Sequence, residues 1–194
     1  MLKNLVLKNR SYRKFFFDKK VSVDQLKQLV DLARLTPSSK NRQPLKYILV
    51  TEEDDCREVF KQLRWAWFLK DWNGPTADEQ PPAYIVVALD KNLNEQADID
   101  VGIVSQTLLL GATEMGLGGC MIHTVNRYEV QKLFHLSESI EISLVIAIGY
   151  PNQSVILGEV GEDDNTVYFE NEHGDHVVPK RSLEDVIILP ERES

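Results

Sequence analysis

The sequence predicts an α+β fold built as one domain. Segments with helical spacing of apolar residues interleave with short apolar runs of strand length. They do so without the regular strand–helix repeat of a doubly wound parallel sheet. The chain has 194 residues, 43% of them hydrophobic and 27% charged. That suits a single core over 1–194 and is not the composition of a disordered chain.

Ser22 and Gln25 have the spacing of a capping box, and Leu26, Leu29, Val30 and Ala33 follow on one helical face, so a helix is expected up to about Leu35. Pro37 ends it. PSSKNRQP is then a loop leading to a short buried strand at Tyr47 to Val50. A second helix is expected from about Asp54, marked by Val59, Phe60, Leu63 and Trp67, and broken by Gly74 and Pro75. The aromatic stretch RWAWFLKDW reads as packing surface and is left without a functional role over Arg64 to Pro75.

Ala83 to Leu89 is a continuous apolar run and reads as a central strand. Ile99 to Met115 is apolar almost all round, the mark of a helix buried on most faces. GLGGCMIH leads into a further strand, Asn126 and Glu129 cap a helix ending near His135, and Ile142 to Tyr150 is the last clear strand. The acidic stretch from Ser154 to His176 has little period beyond a hairpin strand at Thr166 to Glu170, and no function is read there. The apolar tail after Lys180 and Arg181 needs a surface to bury it, and a partner subunit would supply one.

With 22 basic and 30 acidic residues the formal charge is −8, which argues against nucleic acid as a partner. Cys56 and Cys120 form no CxxC, and His123, His135, His173 and His176 have no metal-ligand spacing, so neither disulfide nor metal is expected. The N-terminus lacks a signal-peptide core and no apolar run reaches membrane-spanning length. A cytoplasmic protein is the expectation.

Four short segments bear on chemistry. Arg10, Ser11 and Arg13 form RSYR; on a helical turn the two arginines would share a face and could grip a phosphate, with the Ser11 hydroxyl as a further donor. As an isolated cluster it reads as solvated surface, the usual role of short basic clusters. Pro37, Ser38, Ser39, Asn41 and Gln43 lie between rigid prolines and offer donors and acceptors suited to the edge of a flat heterocycle, or simply make a polar turn. Gly116, Gly118 and Gly119 could let backbone N–H groups approach a ligand, or could be a helix C-cap and turn. Lys180 and Arg181 could complete a phosphate site.

Taken together, these segments resemble the nitroreductase family. An early Arg-Ser-x-Arg is followed by a first helix ending in Pro-Ser-x-x-Asn-x-Gln-Pro. A buried helix ending Gly-Leu-Gly and a late Lys/Arg come after, in family order from Arg10 to Arg181. The resemblance implies a central mixed or antiparallel sheet flanked by helices, a homodimer whose C-terminal tail packs on the partner, and FMN as cofactor. Arg10, Ser11, Arg13, Lys180 and Arg181 would bind the phosphate and ribityl end. Pro37, Ser38, Ser39, Asn41 and, more weakly, Gln43 would come from the other subunit. Backbone N–H groups of Gly118, Gly119 and Cys120 would face flavin N5.

This chain has GLGGC where larger members carry a glutamate-containing loop, so nicotinamide preference and acceptor do not transfer from them. The implied activity is hydride transfer from NAD(P)H to a nitroaromatic or quinone by a ping-pong scheme. The cofactor carries the chemistry and no side chain is catalytic. Reductive dehalogenation on the same fold and a non-catalytic flavin-binding dimer are the alternatives.

Overall fold

The computed structural model describes residues 2–66, 69, 72 and 74–190, so Trp67 and part of the aromatic stretch lie outside the described residues. Four antiparallel strands, β1 (Leu45–Val50), β2 (Ala83–Asp90), β3 (Gly118–Ile122) and β4 (Ile140–Gly149), form the central sheet in the order β1-β2-β4-β3. Along β2, Ala83, Ile85 and Val87 join one apolar cluster while Tyr84, Val86 and Ala88 join the other. Side chains alternate between sheet faces, so a strand covered on both sides reads as an unbroken apolar run even in an antiparallel sheet.

Helices α2 (Val23–Ala33) and α4 (Asp98–Glu114) cover one face, through Leu26, Leu29, Val104 and Leu108. Helices α3 (Glu53–Lys61) and α5 (Arg127–Leu133) cover the other, with Cys56, Val59, Val130 and Phe15. The capping box of α2 is formed at both ends: Ser22 Oγ accepts from Gln25 N–H and Gln25 reaches back to Ser22 N–H. The first turn of α3 carries Glu53, Asp54 and Asp55, which favours the positive end of its dipole.

Helix α4 ends as its glycine suggests. Gly116 has φ +74°, its N–H bonds Thr113 O at 3.1 Å, and Leu117 N–H bonds Ala112 O at 2.8 Å, a left-handed C-cap. Burial of α4 is narrower than its composition suggests. Val101, Val104, Leu108 and Ala112 face the sheet, but Gly102 and Gln106 are exposed, and Ile99 is 78% exposed.

A short helix, α1 (Leu2–Lys8), precedes these elements and buries none of its residues. The C-terminal part forms a second, mixed sheet of β5 (Val155–Glu159), β6 (Phe169–Glu170) and β7 (His176–Lys180), in the order β5-β7-β6. The hairpin strand expected at Thr166 to Glu170 is thus only its last two residues. β7 pairs in parallel with β5 and antiparallel with β6. Beyond it Ile188 and Leu189 are 94% and 80% exposed on the single chain. Among the described residues no helix is long and apolar enough to cross a membrane.

Candidate functional site

RSYR is not on a helical turn. α1 stops at Lys8, and Ser11 is bridged in parallel to Gly119, with Tyr12 N–H donating to the Gly119 carbonyl at 3.0 Å. The reason is that β3 is the sheet's edge strand, and its free backbone groups recruit this segment. Arg10 and Arg13 nevertheless converge, because the segment runs along that edge. Together with Ser11 and Lys180 they line a cavity of about 310 Å³.

No Asp or Glu lines the cavity, and neither arginine pairs with a carboxylate among the described residues. Arg10 donates to Val6 O at 2.7 Å, while its Nε is buried without a hydrogen-bond partner among the described residues. Arg13 backbone N–H donates to Gln153 Oε1 at 3.0 Å, and its Nη1 lies 3.3 Å from Ser11 O. Three cations thus line one cavity that has no carboxylate among its lining residues, a donor set that suits an anion.

The far wall was not foreseen. Tyr168 and His176 line it, from the stretch in which no function was read. His176, Val178 and Lys180 all face the cavity because alternate residues of β7 share a face. Counting back by two from Lys180 was the signal available in the sequence. Arg181, one position on, does not line the cavity. Its guanidinium is paired with Asp164, with Nη2 3.2 Å from Oδ2. Gln106 and Leu109, three apart on α4, complete the base.

Arg13, Met121 and Tyr168 are shared with an adjoining cavity of about 170 Å³ that also has Cys120, Arg64 and Trp65 on its walls. Arg64 is therefore a cation at the site that the sequence reading left unassigned. Burial pushes the Cys120 thiol up against the opposing pull of Arg13 and Ser11.

Gly118 and Gly119 are required by packing. A Cβ on Gly118 would meet Tyr12 Cδ2 at 2.5 Å, and one on Gly119 would meet Leu109 Cδ2 at 2.6 Å and the Ala147 carbonyl. The Gly119 carbonyl faces Tyr12, and backbone groups alternate between the two edges of a strand. Cys120 N–H therefore turns toward its partner Ala147 on β4, and Met121 shares the open edge with Gly119.

The Pro37 loop lies elsewhere on the same chain. Pro37, Ser38 and Gln43 line a separate cavity of about 160 Å³ with Tyr47, Asp100 and Val104, while Ser39 and Asn41 are exposed beside it. Ser38 Oγ donates to Asp100 Oδ2 at 2.5 Å and accepts from Gln43 N–H at 3.0 Å. Lys40, Asn41 and Gln43 take left-handed φ of 51°, 53° and 50°, strain of the kind that functional loops store. Burial and the Asp100 charge push the Tyr47 phenol up to about 12.

The nitroreductase family model matches residues 6–150. The chain belongs to the nitroreductase family. Membership makes it an oxidoreductase, as the motif order predicts. A 4-nitrobenzoate reductase of Pseudomonas putida is 21% identical, over 80% of this chain and 88% of that protein. An iodotyrosine deiodinase of Thermotoga neapolitana is 24% identical, over 78% of this chain and 89% of its own length. The solved structure of an FMN-dependent nitroreductase from Clostridium difficile R20291 superposes with a TM-score of 0.67 at 23% identity, covering 88% of this chain and 99% of that one. The central antiparallel sheet and its flanking helices are this family's fold.

Proposed function

We propose that this nitroreductase-family chain works as a homodimer, with FMN held across the subunit interface, and transfers hydride from NADH or NADPH to a small electron-poor acceptor such as a nitroaromatic or quinone. The observation that carries the cofactor is the convergence of Arg10, Arg13 and Lys180 with Ser11 on one cavity without a carboxylate. This donor set matches a phosphomonoester dianion, which takes planar, bidentate arginine contacts. FMN held by these residues would supply the hydride-transfer chemistry between the nicotinamide and the acceptor.

The chain's own residues bind and orient. Arg10, Arg13 and Lys180 hold the phosphate, Ser11 adds a hydroxyl donor, and the Gly118–Met121 edge lies alongside the ring. Gly118 and Gly119 leave room there for the Tyr12 and Leu109 side chains, while Arg64 adds positive charge next to Cys120.

The Pro37 loop meets α4 at Asp100 and the cation cavity meets it at Gln106 and Leu109. Six to nine residues at 1.5 Å rise separate these levels by roughly 9–14 Å. A two-fold axis crossing two antiparallel α4 helices brings each loop to the other chain's cavity. Pro37, Ser38, Ser39, Asn41 and Gln43 of the partner subunit then close the site. The exposed Ile99, Gly102 and Gln106 lie on the α4 face such a dimer covers.

The absorption spectrum of the purified protein and the mass of the released cofactor test the binding half, and anaerobic mixing with NADH or NADPH tests the redox half. Flavin bands, an FMN mass and bleaching by either nucleotide are expected. A colourless protein that does not take up added FMN overturns the reading. Reductive dehalogenation is a second reading, favoured by the similarity to a deiodinase. Product analysis with a halophenol and a nitroaromatic separates the two.

A further inference from the structure

We infer that His176 is a positioning residue that aims the Arg13 guanidinium at the phosphate of the bound cofactor, an inference that rests on the FMN reading above. His176 Nε2 lies 3.1 Å from Arg13 Nη1. A guanidinium can only donate, so Nε2 is the acceptor and the ring proton resides on Nδ1. The ring is 1% exposed, and Nδ1 is buried without a hydrogen-bond partner among the described residues. A buried imidazole that leaves its own donor unsatisfied while accepting from an arginine is arranged for the arginine's sake.

The Tyr168 ring completes the clamp, with its centroid 4.8 Å from Arg13 Cζ and 5.0 Å from the His176 ring. With Ser11 O at 3.3 Å from the same Nη1, the guanidinium is fixed in plane and direction before any anion arrives. A planar fork held this way keeps its remaining N–H groups for a phosphate and loses little freedom on binding.

Charge around the ring supports the neutral state. Burial and Arg13 both push its pKa down, and Glu170 on β6 pulls it up. Lys180 on its own strand is a further cation on the same cavity. A protonated His176 would have no acceptor for Arg13 and would repel it. His176 lies beyond the residues 6–150 matched by the family model, on the C-terminal sheet.

The test compares FMN with riboflavin, which lacks the phosphate, on apo-protein by isothermal titration. His176→Phe fills the volume and removes the acceptor; His176→Gln keeps an acceptor oxygen near the place of Nε2. His176→Phe is expected to weaken FMN about tenfold while leaving riboflavin unchanged, and His176→Gln to restore most of the loss. Equal loss of both ligands would make His176 merely structural and overturn the inference, as would full FMN affinity in His176→Phe.

Where His176→Phe does not fold, imidazole nitrogen NMR of the wild type decides. A proton on Nδ1 with bare Nε2 at pH 7 is expected, and an Nε2–H tautomer or an imidazolium overturns the inference. A wild type that does not prefer FMN over riboflavin removes the FMN reading itself, and the inference falls with it. Preference retained in the wild type but untouched by His176→Phe removes the inference alone.

Discussion

The Ser38 hydroxyl donates to Asp100 Oδ2 at 2.5 Å, and this bond ties the loop after α2 to the first turn of α4. Asp100 is 3% exposed, and its Oδ1 also accepts from Ser39 N–H at 3.0 Å. Asp100→Ala strands both donors. A hydrogen bond to a charged group contributes about 1.5–3 kcal/mol. Urea unfolding should register that loss, and hydrogen exchange at the Ser39 amide should quicken. An unchanged Ser39 amide would show that Asp100 does not hold the loop.

The cations can be ranked by where they point. Arg10→Ala, Arg13→Ala and Lys180→Ala should each weaken FMN by about 1.5–3 kcal/mol, the worth of a hydrogen bond to a charged group. Arg181→Ala should change FMN affinity by less than about 0.5 kcal/mol, as for a surface substitution away from the ligand, because Arg181 is engaged with Asp164. Calorimetric titration of the four apo-proteins checks the ranking. A loss in Arg181→Ala equal to that in Lys180→Ala would mean the partner or the bound cofactor draws Arg181 inward.

Much of this was legible in the sequence, for physical reasons. The Ser22 capping box, the Gly116 C-cap and the buried β2 run are local patterns, set by nearest neighbours along the chain, and the structure forms all three. The misreading of RSYR was of a different kind. Arg10 and Arg13 share a cavity because Ser11 is recruited by the open edge of β3, more than a hundred residues away, and no local period records that. His176 and Tyr168 escaped notice because an acidic, aperiodic stretch looks like solvated loop. Counting back by two from Lys180 along one face of β7 reaches His176 but not Tyr168, which lies outside that strand. The exposed face of α4 was hidden for the opposite reason, since an all-apolar helix does not say whether its own chain or a second copy covers it.

Alkaline stability depends in part on Cys56, Tyr47 and Tyr84, three acids whose ionisation burial opposes. Burial pushes the Cys56 thiol from 9.0 up to about 12 and Tyr47 from 10.0 up to about 12, and it raises Tyr84 well above 10.0. Each is held neutral in the folded state and ionises more readily when unfolded. Their contribution is complete below about pH 9 and is lost progressively as pH rises from there toward 12. Melting temperatures between pH 8 and 11.5 should fall steadily, and less steeply in Tyr47→Phe and Cys56→Ala. Parallel slopes in wild type and variants would contradict this.

Gly119→Ala should be costly although Gly119 has no left-handed backbone. The added methyl would sit 2.6 Å from Leu109 Cδ2 and against the Ala147 carbonyl, which belongs to the sheet and cannot swing aside. Overpacking of this kind costs about 1–3 kcal/mol. Because Leu109 is also on the floor of the cation cavity, FMN affinity should drop along with stability. Thermal unfolding and titration of one preparation separate the two, and a variant as stable as wild type would show that β3 can shift.

The composite site can be tested on a residue that the single chain leaves in water. Ile99 is 78% exposed, so Ile99→Asp should change the stability of an isolated chain by no more than about 0.5 kcal/mol. In a dimer that covers this face, the same change buries a charge between apolar helices and drives the subunits apart. Light scattering should then give wild type at twice 22.2 kDa and the variant shifted toward one chain. The variant should also lose FMN, although every cation of its own cavity is intact. A wild type that runs as one chain and still holds FMN would mean that the Pro37 loop of a second copy is not needed to close the site.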